Sequence, residues 1–388
     1  MNQSFKFTSK VKKPIYITAI IGLLLTLTSL VLGMNSANEF WANLLLNGYL
    51  YLGIAGSAML FLAIHTLAES GWHVAIQRVL ESIALYLPIA AIILLLLIPG
   101  IPTIYEWSHP TTDKLLLGKQ VFLNVPFFLA RTFGLIALWS LLIYLLHKHS
   151  ILMDSEPNQG HYKSIKRLSS VFVPLFVFTF FFTSWDWIMS LEPHWYSTMF
   201  GFYMVAGAMA SALSAIIITI AIIKYFGGLP LVNSEHLHDL GKYLFGVSIF
   251  WGYLWGSQYL LIWFSNIPEE SIYYVKRWHD FPIQMNISVI LNFFVPTFLL
   301  ITRASKRNWV WLTAIALLVL VGHWLDYYIN IMPGATHCAP SISLLPIGMA
   351  LIFLSLYLFV VLRSFSKVAE TPQNHPYLEE SFNYENSY

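Results

Sequence analysis

Long apolar stretches recur along the whole chain, separated by short polar segments. A hydrocarbon crossing needs about 20 predominantly apolar residues. The pattern predicts ten such spans, at 14–33, 44–66, 80–99, 122–146, 168–190, 198–223, 241–265, 282–302, 309–329 and 341–363. The apolar part of the first is too long for the core of a secretory signal and no small-x-small cleavage site follows it, so it is expected to stay in the protein. This is the pattern of an all-α integral membrane protein.

The few polar residues inside these spans keep helical phase. Thr179, Thr183, Asp186 and Ser190 share one face of the fifth span, and His323, Asp326, Tyr327 and Asn330 one face of the ninth. Ser248, Trp251, Trp255 and Gln258 form a stripe on the seventh, and Asn124 and Arg131 share a face of the fourth. Polar groups in hydrocarbon are costly and normally face the bundle interior. At 1.5 Å per residue, Asp186 lies roughly 6 Å and Asp326 roughly 9 Å inside one end of its helix; Gln258 lies roughly 12 Å in, and Arg131 and His323 roughly 14 Å. All belong to the same half of the membrane.

A weak repeat runs through the chain. Trp185-Asp186 is followed by Pro193 and His194, and Trp324 and Asp326 by Pro333 and His337. AGSA at 55–58 has a counterpart in AGAM at 206–209, and IPTIYEW in IPEESIYY. A step of four spans is even, so both units point the same way: two parallel four-helix bundles, spans 2–5 (44–197) and 6–9 (198–340), with spans 1 and 10 peripheral and a tail at 364–388. Small residues at Ala206, Ala210, Ser214 and at Gly207, Ser211, Ala215 give the sixth span close-packing seams.

Composition narrows the classes further. The chain is 57% hydrophobic and 10% charged, against about 25% charged in soluble domains. A net charge of +2 gives no support to a nucleic-acid role. Of the 21 lysines and arginines, 16 fall in the N-terminal segment and the loops on its side, four (Lys114, Lys119, Lys276, Arg277) on the other side, and Arg131 inside a span. That bias places both termini in the cytoplasm and residues 184–195, SWDWIMSLEPHW, at the outer face. Cys338 is the lone cysteine, so neither a disulfide framework, nor a cluster held by this chain's thiolates, nor a CxxCH haem attachment exists. His65 and His323 lie on opposite sides, which argues against a haem b between them.

The buried polar groups admit two roles. Arg131 needs a partner at its depth, and Asp186 is the first candidate. Ion pairs and hydrogen bonds could simply stitch the bundles. Alternatively Arg131, Asp186, His323 and Asp326 line an outward proton path, with Thr179, Thr183 and Tyr327 as hydroxyl relays; a histidine–carboxylate pair titrates near neutrality. Inner-half candidates are fewer (His65, Glu69, Glu81), which favours a half-channel over a complete wire. A quinone pocket would use Trp251, Trp255 and Gln258 as walls and Asp186 or Asp326 as base. Glu192 and His194 suit capping or docking, and the loops 190–197, 266–281 and 330–340 suit a docking surface. A secondary transporter also fits a parallel repeat, although Pro88 in the third span has no counterpart in the seventh.

SWDWIMSLEPHWYSTMFGFYMVAGA, WGYLWGSQYLLIWFSNIPEES and HWLDYYINIMP, with the tail segment HPYLEES, resemble the F subunit of bacterial alternative complex III, a quinol:cytochrome c oxidoreductase. That subunit is similar to the membrane subunit of polysulfide reductase. The resemblance implies a multi-pass protein of the bacterial inner membrane. It implies as partners a paralogous quinol-oxidising membrane subunit, periplasmic iron–sulfur and haem c subunits, the lipid bilayer and, as an optional further partner, a terminal oxidase. It implies no redox cofactor bound by this chain and a structural or proton-conducting role, with quinone binding or quinol oxidation as the alternative. By motif it carries over Asp186, Glu192 and His194, then Gln258, Asn266, Glu269 and Glu270, and Asp326; of these Glu192, His194, Asn266, Glu269 and Glu270 would serve docking.

Overall fold

The structure, a computed structural model, describes residues 5–156, 159–336 and 342–385. His337 and Cys338, with part of the expected 330–340 loop, lie outside the described residues. The fold is 82% helical, with no strand among the described residues. Nine helical segments there are long and apolar enough to cross a membrane. The chain is therefore an all-helical, multi-pass membrane protein.

The long elements are α1 (Ser9–Val31), α2 (Ala37–Leu67), α3 (Gln77–Ala84), α4 (Leu87–Leu95), α5 (Val125–Ser155), α6 (Gln159–Trp187), α7 (Met199–Tyr225), α8 (Ser234–Ser265), α9 (Pro268–Asp280), α10 (Pro282–Val289), α11 (Val295–Leu299), α12 (Trp309–Thr336) and α13 (Leu344–Phe365). The expected third span is broken into α3 and α4, with Pro88 in the first turn of α4, where its missing N–H costs nothing. A π turn over Ile290–Phe294 joins α10 to α11. The expected seventh span falls in α8, whose 32 residues give ample length, but whose Trp, Tyr, Gly, Ser and Gln leave it less apolar than the other nine. Asn124 does not share the polar stripe of Arg131: it is the N-cap of α5, accepting from Phe127 N–H at 2.9 Å. The helix expected to stop at 329 runs on to Thr336, straight through Pro333. Asp326 then lies about 15 Å from that end at 1.5 Å per residue.

The most apolar window of α2 is 89% buried, which makes it the hub. It packs on α3, α4 and α6, while α5 joins α4 to α6. On its other side α2 meets α7 and α12; α7 also packs on α8, and α10 on α12. Gly56 has no room for a side chain, since a Cβ there would lie 2.3 Å from the Phe176 ring. The seams expected on α7 are buried throughout. The outer pair, α1 and α13, cross where Gly22 meets Gly348: a Cβ on Gly22 would sit 2.8 Å from the Gly348 carbonyl oxygen.

After α13 the tail folds back across the lysine-rich end. Glu370 accepts from Leu229 N–H at 2.9 Å, Asp154 from Gln373 N–H at 2.9 Å, and Glu380 from Gly71 N–H at 3.1 Å. His375 is buried among Tyr162, His73 and Tyr377, with Glu81 and Arg78 as the nearest charges. Burial pushes its pKa down to about 4. Its Nδ1 accepts from Tyr377 N–H at 3.2 Å, which an imidazolium cannot do. The unfolded tail binds the proton more readily than the docked one, so docking is complete above pH 6.5 and weakens as pH falls toward about 4. Hydrogen-exchange protection factors of residues 371–385, corrected for the intrinsic pH dependence of exchange, should fall between pH 7.5 and 5, and His375→Phe should reduce the dependence. Equal protection at both pH values would refute this.

Candidate functional site: two buried carboxylates at the lysine-poor end

The first site joins α5 to α6. Arg131 grips Asp186 with both prongs, Nε to Oδ2 at 2.8 Å and NH2 to Oδ1 at 2.9 Å. Its third nitrogen donates to the Phe122 carbonyl at 3.1 Å, and its guanidinium lies 3.9 Å and 4.2 Å from the ring centres of Phe122 and Phe127. The expected pair therefore forms, as a bidentate clamp held between two aromatic rings. Ser190 donates to the Asp186 carbonyl. The threonines on the same helix are engaged locally: Thr183 donates to the Phe180 carbonyl at 2.8 Å with Tyr49 Oη at 3.3 Å, and Thr179 donates to the Leu175 carbonyl at 2.6 Å while accepting from Trp139 at 2.9 Å.

The second site is built differently. Asp326 has no cationic partner among the described residues. Tyr203 donates to its Oδ1, and Asn330 Nδ2 lies 3.4 Å from the same oxygen. Asn330 Oδ1 in turn accepts from Tyr273 at 2.6 Å. Arg277, only 1% exposed, covers the Tyr273 ring at 3.2 Å and donates to Glu192 at 2.6 Å. Contacts thus run from half-buried Glu192 by an ion pair to Arg277, across the face of the Tyr273 ring, and by hydrogen bonds through Asn330 to Asp326. A cavity of about 10 Å³ beside Tyr203, Gln258, Asp326 and Asn330 is of single-water size.

His323 and Asp326 share a helix face but are not hydrogen-bonded to each other. His323 turns toward Gly207 and the edge of Trp251, and neither ring nitrogen has a partner among the described residues. The Tyr327 hydroxyl and Gln258 Nε2 are likewise buried and unpartnered there. Tyr327 packs on Tyr49 at 5.8 Å, ring to ring, so aromatic packing connects the two sites. Of the quinone set, Trp255 and Gln258 line the small cavity with Asp326, one of the two candidate bases, whereas Asp186, the other, belongs to the other site.

Of the docking residues, Glu192 spends its carboxylate inside the chain, on Arg277 and, at 3.7 Å, Lys276. His194 lies 3.3 Å from Asp113. Asn266 ends α8 in the left-handed conformation, φ 46°, and is exposed beside Glu269, with Glu270 half-buried. Around them Trp263, Phe264 and Ile267 stand exposed.

The lysine-rich end holds a cluster that periodicity did not single out. Arg78, fully buried, donates to Glu81 at 2.8 Å, to Ser150 at 2.9 Å and to Asp154. Gln77 and His147 also bond Glu81, at 2.9 Å and 3.0 Å. Glu69 pairs with Lys166 at the surface, which holds its carboxyl below the usual range, and His65 bonds Tyr243 at 3.0 Å. All three inner candidates are therefore committed to fixed partners. Tyr203, Tyr273 and Arg277 were also missed. A proline carbonyl capped by a lysine occurs in each half, Lys119 to Pro193 at 2.5 Å and Lys276 to Pro333 at 2.7 Å. Among the described residues no group of three His, Cys, Asp or Glu side chains is arranged for a metal. Comparison with known proteins returns no matching family model and no matching curated protein.

Proposed function

We propose that this chain is a membrane subunit of a respiratory quinol:cytochrome c oxidoreductase of the alternative complex III type, and that its part is assembly together with an outward proton half-path. The chain then spans the bacterial inner membrane ten times, α8 included, with both termini cytoplasmic and two parallel units of four spans. The twin lysine-capped prolines support the repeat, because they join equivalent segments in the two halves. The polar contacts from Glu192 through Arg277, Tyr273 and Asn330 to Asp326 carry the functional reading.

In this reading the two carboxylates divide the work. Asp186 is locked by a bidentate arginine and anchors α5 to α6. Asp326, held only by neutral donors, is the group that gains and loses a proton. The unpartnered nitrogens of His323 lie about one helical turn to its inner side, and the Tyr327 hydroxyl and the Gln258 amide are further unpartnered groups among the described residues. Buried polar atoms of this kind are normally satisfied by ordered water, so a short water file from His323 to Asp326 extends the path toward the membrane centre. The inner candidates sit in fixed bonds, and the path stops there. Haem c, iron–sulfur clusters and the quinol site belong to partner subunits, which dock on the lysine-poor face around Glu269 and Phe264.

Affinity purification of the tagged chain in mild detergent tests the assembly. The eluate should carry haem c absorption and iron–sulfur resonances, and crosslinks from Glu269 should reach haem- or cluster-bearing proteins. A chain that elutes free of both cofactors, or crosslinks from Glu269 only to cytoplasmic proteins, would sink the proposal.

A further inference from the structure

At the lysine-poor end, Lys119 lacks what its counterpart has. Both lysines cap a proline carbonyl, but Lys276 also has the Glu192 carboxylate at 3.7 Å. Lys119 has no carboxylate within ion-pair distance among the described residues; its ammonium instead lies 5.7 Å from the ring centre of Tyr196. Half-burial lowers its pKa, a cost that a neighbouring anion would offset. The side chain borders a groove of about 520 Å³ whose other walls include Val121, Phe122, Leu123, Trp185 and Met189. That volume falls in the range of small-molecule sites, roughly 300–1,000 Å³. Val121 is 87% and Tyr196 69% exposed, so the groove opens outward. It lies where α6 ends, at the level where tryptophan and tyrosine mark the headgroup layer.

We propose that this groove holds an anionic phospholipid, with its phosphate on the Lys119 ammonium and an acyl chain along Phe122, Leu123 and Met189. The ligand takes the place that Glu192 fills in the second half of the chain, so the inference uses the repeat and not the respiratory assignment. Phe122 is also the ring beneath Arg131. A seated lipid therefore braces the Arg131–Asp186 clamp from the membrane side.

Native mass spectrometry of the full-length chain in detergent provides the test, with phosphatidylglycerol and phosphatidylcholine of identical acyl chains as probes. The chain should bind one phosphatidylglycerol about fivefold more tightly than phosphatidylcholine, the effect of one surface lysine at about 1 kcal/mol. Lys119→Gln should abolish that preference. Val121→Glu, at an exposed position that leaves folding unaffected, should abolish it by repulsion. Inorganic phosphate at the same concentration should not compete. An undiminished preference in both variants, equal binding of the two lipids by the unaltered chain, or displacement by inorganic phosphate would each overturn the proposal.

Discussion

Replacing Arg78 with alanine is expected to cost about 3–5 kcal/mol, because it strands a buried carboxylate. The side chain is fully buried, and its guanidinium neutralises Glu81 while bonding Ser150 and Asp154. Glu81 is itself buried and would keep only Gln77, Ser150 and His147 as neighbours. The damage spreads beyond α3. Asp154 also accepts from Gln373, so a displaced Asp154 loosens the tail that straps the lysine-rich end. The melting temperature in detergent should drop by about 10 °C, with little folded protein left in the membrane. Replacing both buried partners, Arg78→Met with Glu81→Leu, should recover part of the loss, since the one carboxylate then left without its cation is Asp154, which is partly exposed. A melting temperature unchanged in Arg78→Ala would show that the cluster bears no stability.

That cluster illustrates what a sequence of this kind hides. Arg78 reads as one more positive charge near a loop on the lysine-rich side, and nothing in its spacing says that Ser150 and Asp154 of a distant helix will enclose it. The apolar helices, by contrast, are legible from hydropathy, because each must turn its length toward other helices or toward lipid. Arg131 and Asp186 could be paired in advance, since a deep arginine has few partners to choose from. His323 shows the limit of the same logic. Two residues three apart share a face, but Asp326 points to Tyr203 and Asn330, while His323 points to Gly207 and Trp251. Periodicity gives the face of a residue and not the neighbour that will meet it. The break between α3 and α4 follows the local signal of Pro88, which opens the new helix, whereas α12 runs on past Pro333 because tertiary packing overrode that signal.

Asp326→Asn and Asp186→Asn should fail in opposite ways, and the contrast separates conduction from anchoring. Asparagine at 326 keeps the shape of the side chain and still accepts from Tyr203, so stability should change by no more than about 1 kcal/mol, the worth of one neutral hydrogen bond. It cannot carry a proton. In the complex proposed above, reconstituted into vesicles, electron transfer from quinol to cytochrome c should persist while the protons released per electron decline. Tyr203→Phe should give the same signature more weakly, by removing the donor that holds Asp326 in place. Asparagine at 186 leaves Arg131 without its carboxylate between two aromatic rings, with a guanidinium only 13% exposed. There the expected outcome is lost assembly, at a cost of about 3 kcal/mol or more, and whatever complex survives should pump normally. If Asp326→Asn leaves turnover, stability and the proton-to-electron ratio all unchanged, Asp326 carries no proton. If Asp326→Asn disrupts assembly as severely as Asp186→Asn, both carboxylates are anchors and the half-path does not exist.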